Sequence, residues 1–494
     1  MATDTAQFRA WLAAHGPRLA RPLLPHQEEF VAWAAPRRGV INASEQGTGK
    51  TAAAWVLLHV WSPHRTLILC PKSLVGEWVA EHRATIAAGW IDCVSIDAAG
   101  SADKGAALAA LANHPRPVAA VLNCEALRRI PEAVATFAPD AVVFDESWKI
   151  KTPGTAVSRA AAAAADGAAH VLALTGTPVG NHVGDLWAQL RFLDPSWQGW
   201  DETRTRAAMR FAARYARTVP VPVDRGRRTI QRPVGMLDPG GLMAVIEPYW
   251  WRATKGACLT LPPKVHRRAI LPAPAWVTNL DRRIQEEGEA ALGAVLSLND
   301  ERVALIRRRQ LAGGLLPVAT PIAPDSPAYT WTKEPWGGPK YLWIAQRAAD
   351  VWDGNPTTRV MLWANERAEL DLIAATLRPH MSVFVADGRA TPDDLAAAKE
   401  SFNSRDPDGV RAFICQWEKM AYGHNMQAAD EHVRVSHTWS HVQRSQSEDR
   451  SHRQGRDEPV VYWDLVMPGT IDADVLEATA RKENFAQRAS PRIL

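Results

Sequence analysis

Ser44-Glu45-Gln46-Gly47-Thr48-Gly49-Lys50-Thr51 is a polar, glycine-containing run that ends in Lys-Thr. It follows the apolar pair Val40-Ile41 and precedes the helix-like run Ala52 to Val60, so it carries the strand, loop and helix context that a phosphate-binding loop requires. Glycines let backbone N–H groups turn toward phosphate oxygens, and the positive end of the following helix adds its dipole. In this reading Gly47, Thr48 and Gly49 shape the cradle, Lys50 neutralises phosphate charge and Thr51 holds Mg²⁺. Ser44 stands where the general pattern has its first glycine.

Val142-Val143-Phe144-Asp145-Glu146 reads as an apolar strand that delivers two adjacent carboxylates to the carboxyl edge of a sheet, the usual ligand edge in such folds. Asp145 is expected to position Mg²⁺ and Glu146 to activate the attacking water. Strand-like runs at 65–70, 118–123, 140–144 and 170–174 alternate with alanine-rich stretches long enough for helices, which implies a parallel α/β sheet. The rhythm returns at 359–364, 381–386, 411–415, 431–435 and 459–466, and predicts a second sheet of the same class. The expected division is a first lobe over 1–195, helical insertions over 196–311, a Gly/Pro-rich connector over 312–339, a second lobe over 340–480 and a basic tail over 481–494.

Late in the second lobe, Gln446-Ser447-Glu448-Asp449-Arg450-Ser451-His452-Arg453 places two arginines three residues apart, expected on one helical face and able to reach a shared anion. Between two lobes such a pair can act as arginine fingers on a transition state.

Composition bounds the rest. With 22% charged and 47% hydrophobic residues the chain lies outside the regime of disorder, and no apolar run approaches the roughly 20 residues needed to span a bilayer. Five scattered cysteines without a CxxC pair read as reduced core residues, and the N-terminus has no secretory pattern, so a cytoplasmic location is expected. The net charge of +4 is small, but nine arginines against the single acid Asp224 lie between Arg204 and Arg232, a patch that attracts phosphates or is plain solvated surface. Most of the 21 tryptophans must serve packing rather than base stacking.

In this order the motifs resemble those of superfamily 2 helicases, specifically the Swi/Snf branch of double-stranded DNA translocases, over about residues 20 to 480. Leu24-Pro25-His26-Gln27 resembles the adenine-reading motif, with Gln27 as its glutamine. Leu67 to Leu74, including Lys72 and Ser73, with Glu77-Trp78 behind it, looks like the DNA-backbone motif, and Asn123 to Leu127 the next one on the DNA side. Asp145-Glu146-Ser147 continuing to Lys149-Ile150-Lys151 is similar to this branch in particular. So is Leu174-Thr175-Gly176-Thr177-Pro178 with Asn181, Asp185-Leu186-Trp187 and Phe192-Leu193. Gly423 to Asp430, containing Asn425, resembles the motif that senses DNA and nucleotide together, while Trp439, Gln446, Arg450 and Arg453 keep the family's spacing. The inter-lobe segments are most like the short HepA-related and annealing-helicase members.

The resemblance implies two tandem RecA-like lobes, ATP and Mg²⁺ as cofactors, double-stranded or branched DNA and DNA-bound proteins as partners, and a monomeric motor without membrane association. It places Lys72, Ser73, Trp78, Asn123, Thr175, Asn425 and Trp439 against nucleic acid, and Gln27 and Gln446 against nucleotide. Two other readings are a strand-separating helicase and a DNA-binding regulatory module with a weak ATP site. Trp148 departs from the family's histidine; an indole donates one hydrogen bond and accepts none, so hydrolysis and motion are expected to be joined differently here. The Ala/Arg-rich composition suggests a bacterial or phage setting.

Overall fold

The computed structural model describes residues 8, 10–14, 19–87, 90–98, 103–150, 155–176, 184–194, 204–223, 228–287, 301–321, 329–420, 425–453 and 455–489. Lys151, Thr177, Pro178, Asn181, Asp224, Gly423 and His424 lie outside them. The chain divides into two compact units, Met1–Thr260 with Asn484–Leu494, and Leu261–Glu483.

The first unit is built on a parallel seven-stranded sheet. Its strands are β1 (Gly39–Asn42), β2 (Arg65–Cys70), β3 (Asp92–Ser95), β4 (Val118–Asn123), β5 (Ala141–Asp145), β6 (His170–Leu174) and, after a two-stranded ribbon of β7 (Ala216–Val223) and β8 (Arg228–Met236), the short β9 (Trp250–Trp251). The order is β3-β4-β2-β5-β6-β1-β9. Its central strands are buried on both faces, which is why they read as continuous Val, Leu, Ile and Ala runs instead of an alternation. One face packs against a cluster with Leu67, Leu122, Phe144 and Trp187, the other against one with Trp55, Ile68, Val143 and Leu172.

The second unit repeats the architecture with six parallel strands. These are β10 (Lys264–Ile270), then β13 (Val360–Ala364), β14 (Val383–Ala386), β15 (Ala412–Gln416), β16 (Glu431–Arg434) and β17 (Val460–Val466), ordered β10-β17-β16-β13-β15-β14; β11 (Leu315–Pro321) and β12 (Tyr329–Pro335) form a separate antiparallel pair. The two α/β sheets expected from the sequence are therefore present.

The expected boundaries need correction. The segment 196–311 is not purely helical: it supplies β7, β8, β9 and β10, and the division between units falls at Thr260/Leu261, so the second unit begins well before 340. β10 was hidden because it is an edge strand with half-exposed and exposed side chains, Lys264, His266, Arg267 and Arg268 among them, and so has no apolar rhythm. The Gly/Pro-rich 312–339 is no unstructured connector either, since β11 and β12 pair over seven residues from Leu315↔Pro335 to Pro321↔Tyr329. Its glycines serve close approach: at Gly314 φ is 85° and a Cβ would sit 2.4 Å from the Tyr341 ring.

Candidate functional site

In the first unit β5, β6 and β1 are neighbours, so three loops separated in sequence leave one stretch of the carboxyl edge side by side. They are the acidic pair at the end of β5, Thr175-Gly176 after β6 and the glycine loop after β1.

The loop's shape follows from its glycines. Gly47 and Gly49 have φ of 82° and 77°, in the left-handed region that L side chains avoid. Helix Lys50–Trp61 starts immediately afterwards, with Lys50 and Thr51 in its first turn. The Lys50 ammonium donates to the carbonyls of Ser44 at 2.8 Å and Glu45 at 3.0 Å, and the Thr48 hydroxyl donates to the Glu45 carbonyl at 2.8 Å. Gln27 braces the loop from outside: its amide nitrogen donates to the carbonyls of Thr48 at 3.1 Å and Gly49 at 3.2 Å, while its oxygen accepts from Leu24 N–H at 2.9 Å. A Cβ on Gly49 would lie 2.1 Å from that nitrogen, so this position is closed to any other residue twice over.

Asp145 and Glu146 meet the loop. The Gln46 amide donates to one Glu146 oxygen at 3.2 Å and the Trp148 indole N–H to the other at 2.8 Å. Gly176 lies against Gln46 and Lys50, a Cβ there being 3.0 Å from Gln46 Cγ and 3.8 Å from Lys50 Nζ. Asp145 accepts the Trp78 indole N–H at 2.8 Å and Glu146 N–H at 2.9 Å. Loss of hydration and the adjacent Glu146 carboxylate push Asp145 up to about 7, with the Trp78 hydrogen bond and Lys50 acting the other way. Two crowded carboxylates beside one lysine and a glycine-shaped loop suit a divalent cation carried by a polyphosphate, with Thr51 as the hydroxyl partner.

The residues assigned from sequence to the DNA side differ in exposure. Trp78 is 1% exposed, packs edge-on to Trp55 at 5.7 Å and donates its indole N–H to Asp145, so in this structure it supports the acidic pair. Thr175 is likewise 1% exposed, its N–H donating to the Asn42 carbonyl at 3.1 Å. The Asn123 amide is committed inside the unit, donating to both Asp97 oxygens at 2.8 Å and accepting from Ala126 N–H at 2.9 Å. Lys72 and Ser73, in the turn after β2, are exposed along the same sheet edge.

In the second unit Gln446 is buried in helix His441–Glu448, but Arg450 and Arg453 lie beyond the helix end and so share no helical face. Each folds back instead, Arg450 Nε donating to the Gln446 carbonyl at 3.0 Å and Arg453 Nε to that of Asp449 at 2.8 Å. Met426 N–H donates to the Arg450 carbonyl at 3.1 Å, tying the Asn425 segment to the arginine turn. A charge cluster anchors the helix from below: Arg434, with no exposed surface, bonds Glu448 at 2.6 Å and Asp464 at 3.2 Å, and Arg444 bonds Asp464 at 2.6 Å. Lys264 of β10 adds Glu448 at 3.1 Å and Asp449 at 3.2 Å. Asn425 is exposed and lines an open polar cavity of about 510 Å³ with Arg405, Gln427 and Arg456, whereas Trp439 is half-buried against Met467, Ile471 and Val475.

Sequence reading also missed a strap on the glycine loop. Ala253 N–H donates to Ser44 Oγ at 2.9 Å, Glu45 N–H to the Ala253 carbonyl at 3.0 Å, and Lys255 N–H to Glu45 Oε2 at 2.9 Å. Ser44 is thus the hydroxyl that fastens the loop to the segment after β9. The signal was its departure from glycine.

The model of the SNF2-related domain family matches residues 26–272. Among curated proteins, human TATA-binding protein-associated factor 172 is 22% identical over 94% of this chain and 28% of its own length. Mouse DNA repair and recombination protein RAD54B is 21% identical over 95% of the chain and 56% of its own length. The chain therefore spans only part of these relatives, about a quarter of the human factor. Among solved structures, the Sulfolobus solfataricus SWI2/SNF2 ATPase core in complex with dsDNA is similar at 17% identity and a TM-score of 0.40, covering 95% of this chain and 93% of that one. The family match spans half of the chain, from the helix that carries Gln27 through the glycine loop and the acidic pair to the end of β10, and on that match the chain belongs to the SNF2-related family, in the Swi/Snf branch of superfamily 2.

Proposed function

We propose that this chain is a DNA-dependent ATPase that moves along double-stranded DNA and remodels DNA or protein–DNA complexes. The observation that carries the reading is the meeting of Lys50, Gln46, Asp145, Glu146 and Gly176 at adjacent strand ends, which supplies the parts of a nucleotide-hydrolysing site in one place. Loop N–H groups and Lys50 hold the phosphates; Thr51 and Asp145 would hold a Mg²⁺, which would supply positive charge to the phosphoryl group. Glu146 takes the proton of the attacking water as its oxygen bonds the terminal phosphorus and the bridging P–O bond breaks toward ADP. Arg450 and Arg453 are proposed to add positive charge to that transition state, and Gln446 to contact the nucleotide.

Duplex DNA as the track is supported by family membership, by the relatives' descriptions as TATA-binding protein-associated and DNA repair proteins, and by exposed Lys72, Arg214 and Arg217 on the first unit. Contacts of this kind fall on phosphates, so tracking is sequence-tolerant and weakens steeply with salt. The β7–β8 ribbon favours one other reading, strand separation, because a two-stranded arm outside the main sheet is a shape able to part a fork.

Glu146→Gln tests the site. It keeps the shape and removes the base, so ATP binding persists within a fewfold while DNA-stimulated turnover falls by roughly two orders of magnitude or more. Wild-type turnover in this variant removes Glu146 from its role.

A further inference from the structure

Resting on the hydrolysis reading above, the inference concerns how Glu146 is aimed. Glu146 leaves β5 with φ of 51°, a left-handed conformation that a non-glycine residue keeps only when its surroundings hold it there. Asp145 Oδ1 accepts its N–H, its carbonyl accepts Lys149 N–H at 2.9 Å, and Ser147 Oγ donates to Gln189 Oε1 at 2.7 Å, pinning the turn to helix Gly184–Leu193. These contacts fix the backbone but not the side-chain torsions that aim the carboxylate. Among the described residues the Gln46 amide donates to Oε1 and the Trp148 indole to Oε2, the second being the shorter at 2.8 Å, and both restrain those torsions.

We propose that Trp148 is a positioning residue for hydrolysis, its indole N–H fixing the Glu146 carboxylate so that a remaining lone pair faces the attacking water. The residue type suits the task. A carboxylate has about four acceptor positions, so a single indole donor does not by itself fill them. An indole is neutral, donates once and accepts nothing, so it orients the base without competing for the proton that moves from water to Glu146. The ring also has a place of its own, half-buried in the turn Ser147–Ile150 with the Lys149 ammonium 6.0 Å from its centre.

Trp148→Phe keeps an aromatic ring and deletes the N–H; Trp148→His restores a donor. The expected result is kcat lowered roughly tenfold to a hundredfold in the Phe variant, the range set by small misplacements of reacting groups, with the KM for ATP within about twofold of wild type and most of kcat recovered in the His variant. A readout independent of turnover is the indole ¹H–¹⁵N spectrum. The Trp148 resonance, assigned as the one missing from the Phe variant, should move upfield in Glu146→Ala. An unmoved resonance, or wild-type kcat in the Phe variant, overturns the proposal. If wild-type protein hydrolyses no ATP under any condition, the functional reading fails, while the indole shift still decides whether Trp148 holds Glu146. Should the Phe variant not fold, the Glu146→Ala shift, read against the His variant for assignment, decides alone.

Discussion

His432 shows how much a single residue can bind into the fold. It has no exposed surface, its Nδ1 accepts the Trp363 indole N–H at 3.1 Å, and its Nε2 stands 2.7 Å from Ser451 Oγ, which assigns the proton to Nε2. Burial, reinforced by Arg434, Arg456 and Lys264, holds it neutral far below its ordinary range. The unfolded chain takes up a proton near pH 6.5 and the folded chain does not, so this contribution to stability is complete above that pH and is lost as pH falls. Urea unfolding of wild type and His432→Gln, measured at pH 7 and pH 5, should show the variant losing less stability on acidification, by up to about 1.4 kcal/mol per pH unit below 6.5. Equal slopes would contradict the assignment. At this scale the sequence was legible where chemistry is local. Gly49, Lys50, Asp145 and Glu146 declare themselves by type and spacing, and the structure gathers them. Burial is what spacing leaves open: Trp78 and Thr175 occupy motif positions and are each 1% exposed, and no spacing distinguishes an indole that meets DNA from one that holds a carboxylate.

Elements were legible in proportion to their apolar content. The nine strands expected from the sequence all appear within one or two residues; most are apolar, as parallel strands covered on both faces are, while β16 buries Glu431, His432 and Arg434 around Val433. Exposed β10 and the ribbons β7–β8 and β11–β12 lack that signature, and prolines within the ribbons speak against strands. In the first ribbon Pro220 and Pro222 are two residues apart, so both missing N–H groups belong to one edge of β7, which discourages any further strand from adding there. Among the described residues the ribbon pairs only with itself, in register from Val223↔Arg228 down to Ala216↔Met236 with a bulge at Arg217/Thr218. Replacing 218–234 by a two-glycine turn should therefore leave Tm within about 2 °C and DNA-free turnover unchanged. It removes Arg225, Arg227, Arg228 and Arg232, and if these meet phosphates the slope of log affinity against log salt becomes shallower by about 0.9 for each phosphate no longer neutralised. An unchanged salt slope would take the ribbon out of the DNA-binding surface.

At the scale of the whole molecule, two units with parallel α/β sheets carry different parts of the proposed motor: the phosphate loop and acidic pair in the first, the Arg450–Arg453 turn and its buried ion cluster in the second. The family follows from the sequence match, but a fold hosts many activities, and movement on duplex DNA is a claim about function. It is tested most directly by ATP turnover with no DNA, single-stranded DNA or duplex, alongside displacement of a third strand from a triplex and unwinding of a forked duplex. The account predicts turnover stimulated by duplex, triplex displacement that needs ATP and disappears in Glu146→Gln, and no fork unwinding. Turnover indifferent to duplex, or an intact triplex despite duplex-stimulated turnover, would contradict it.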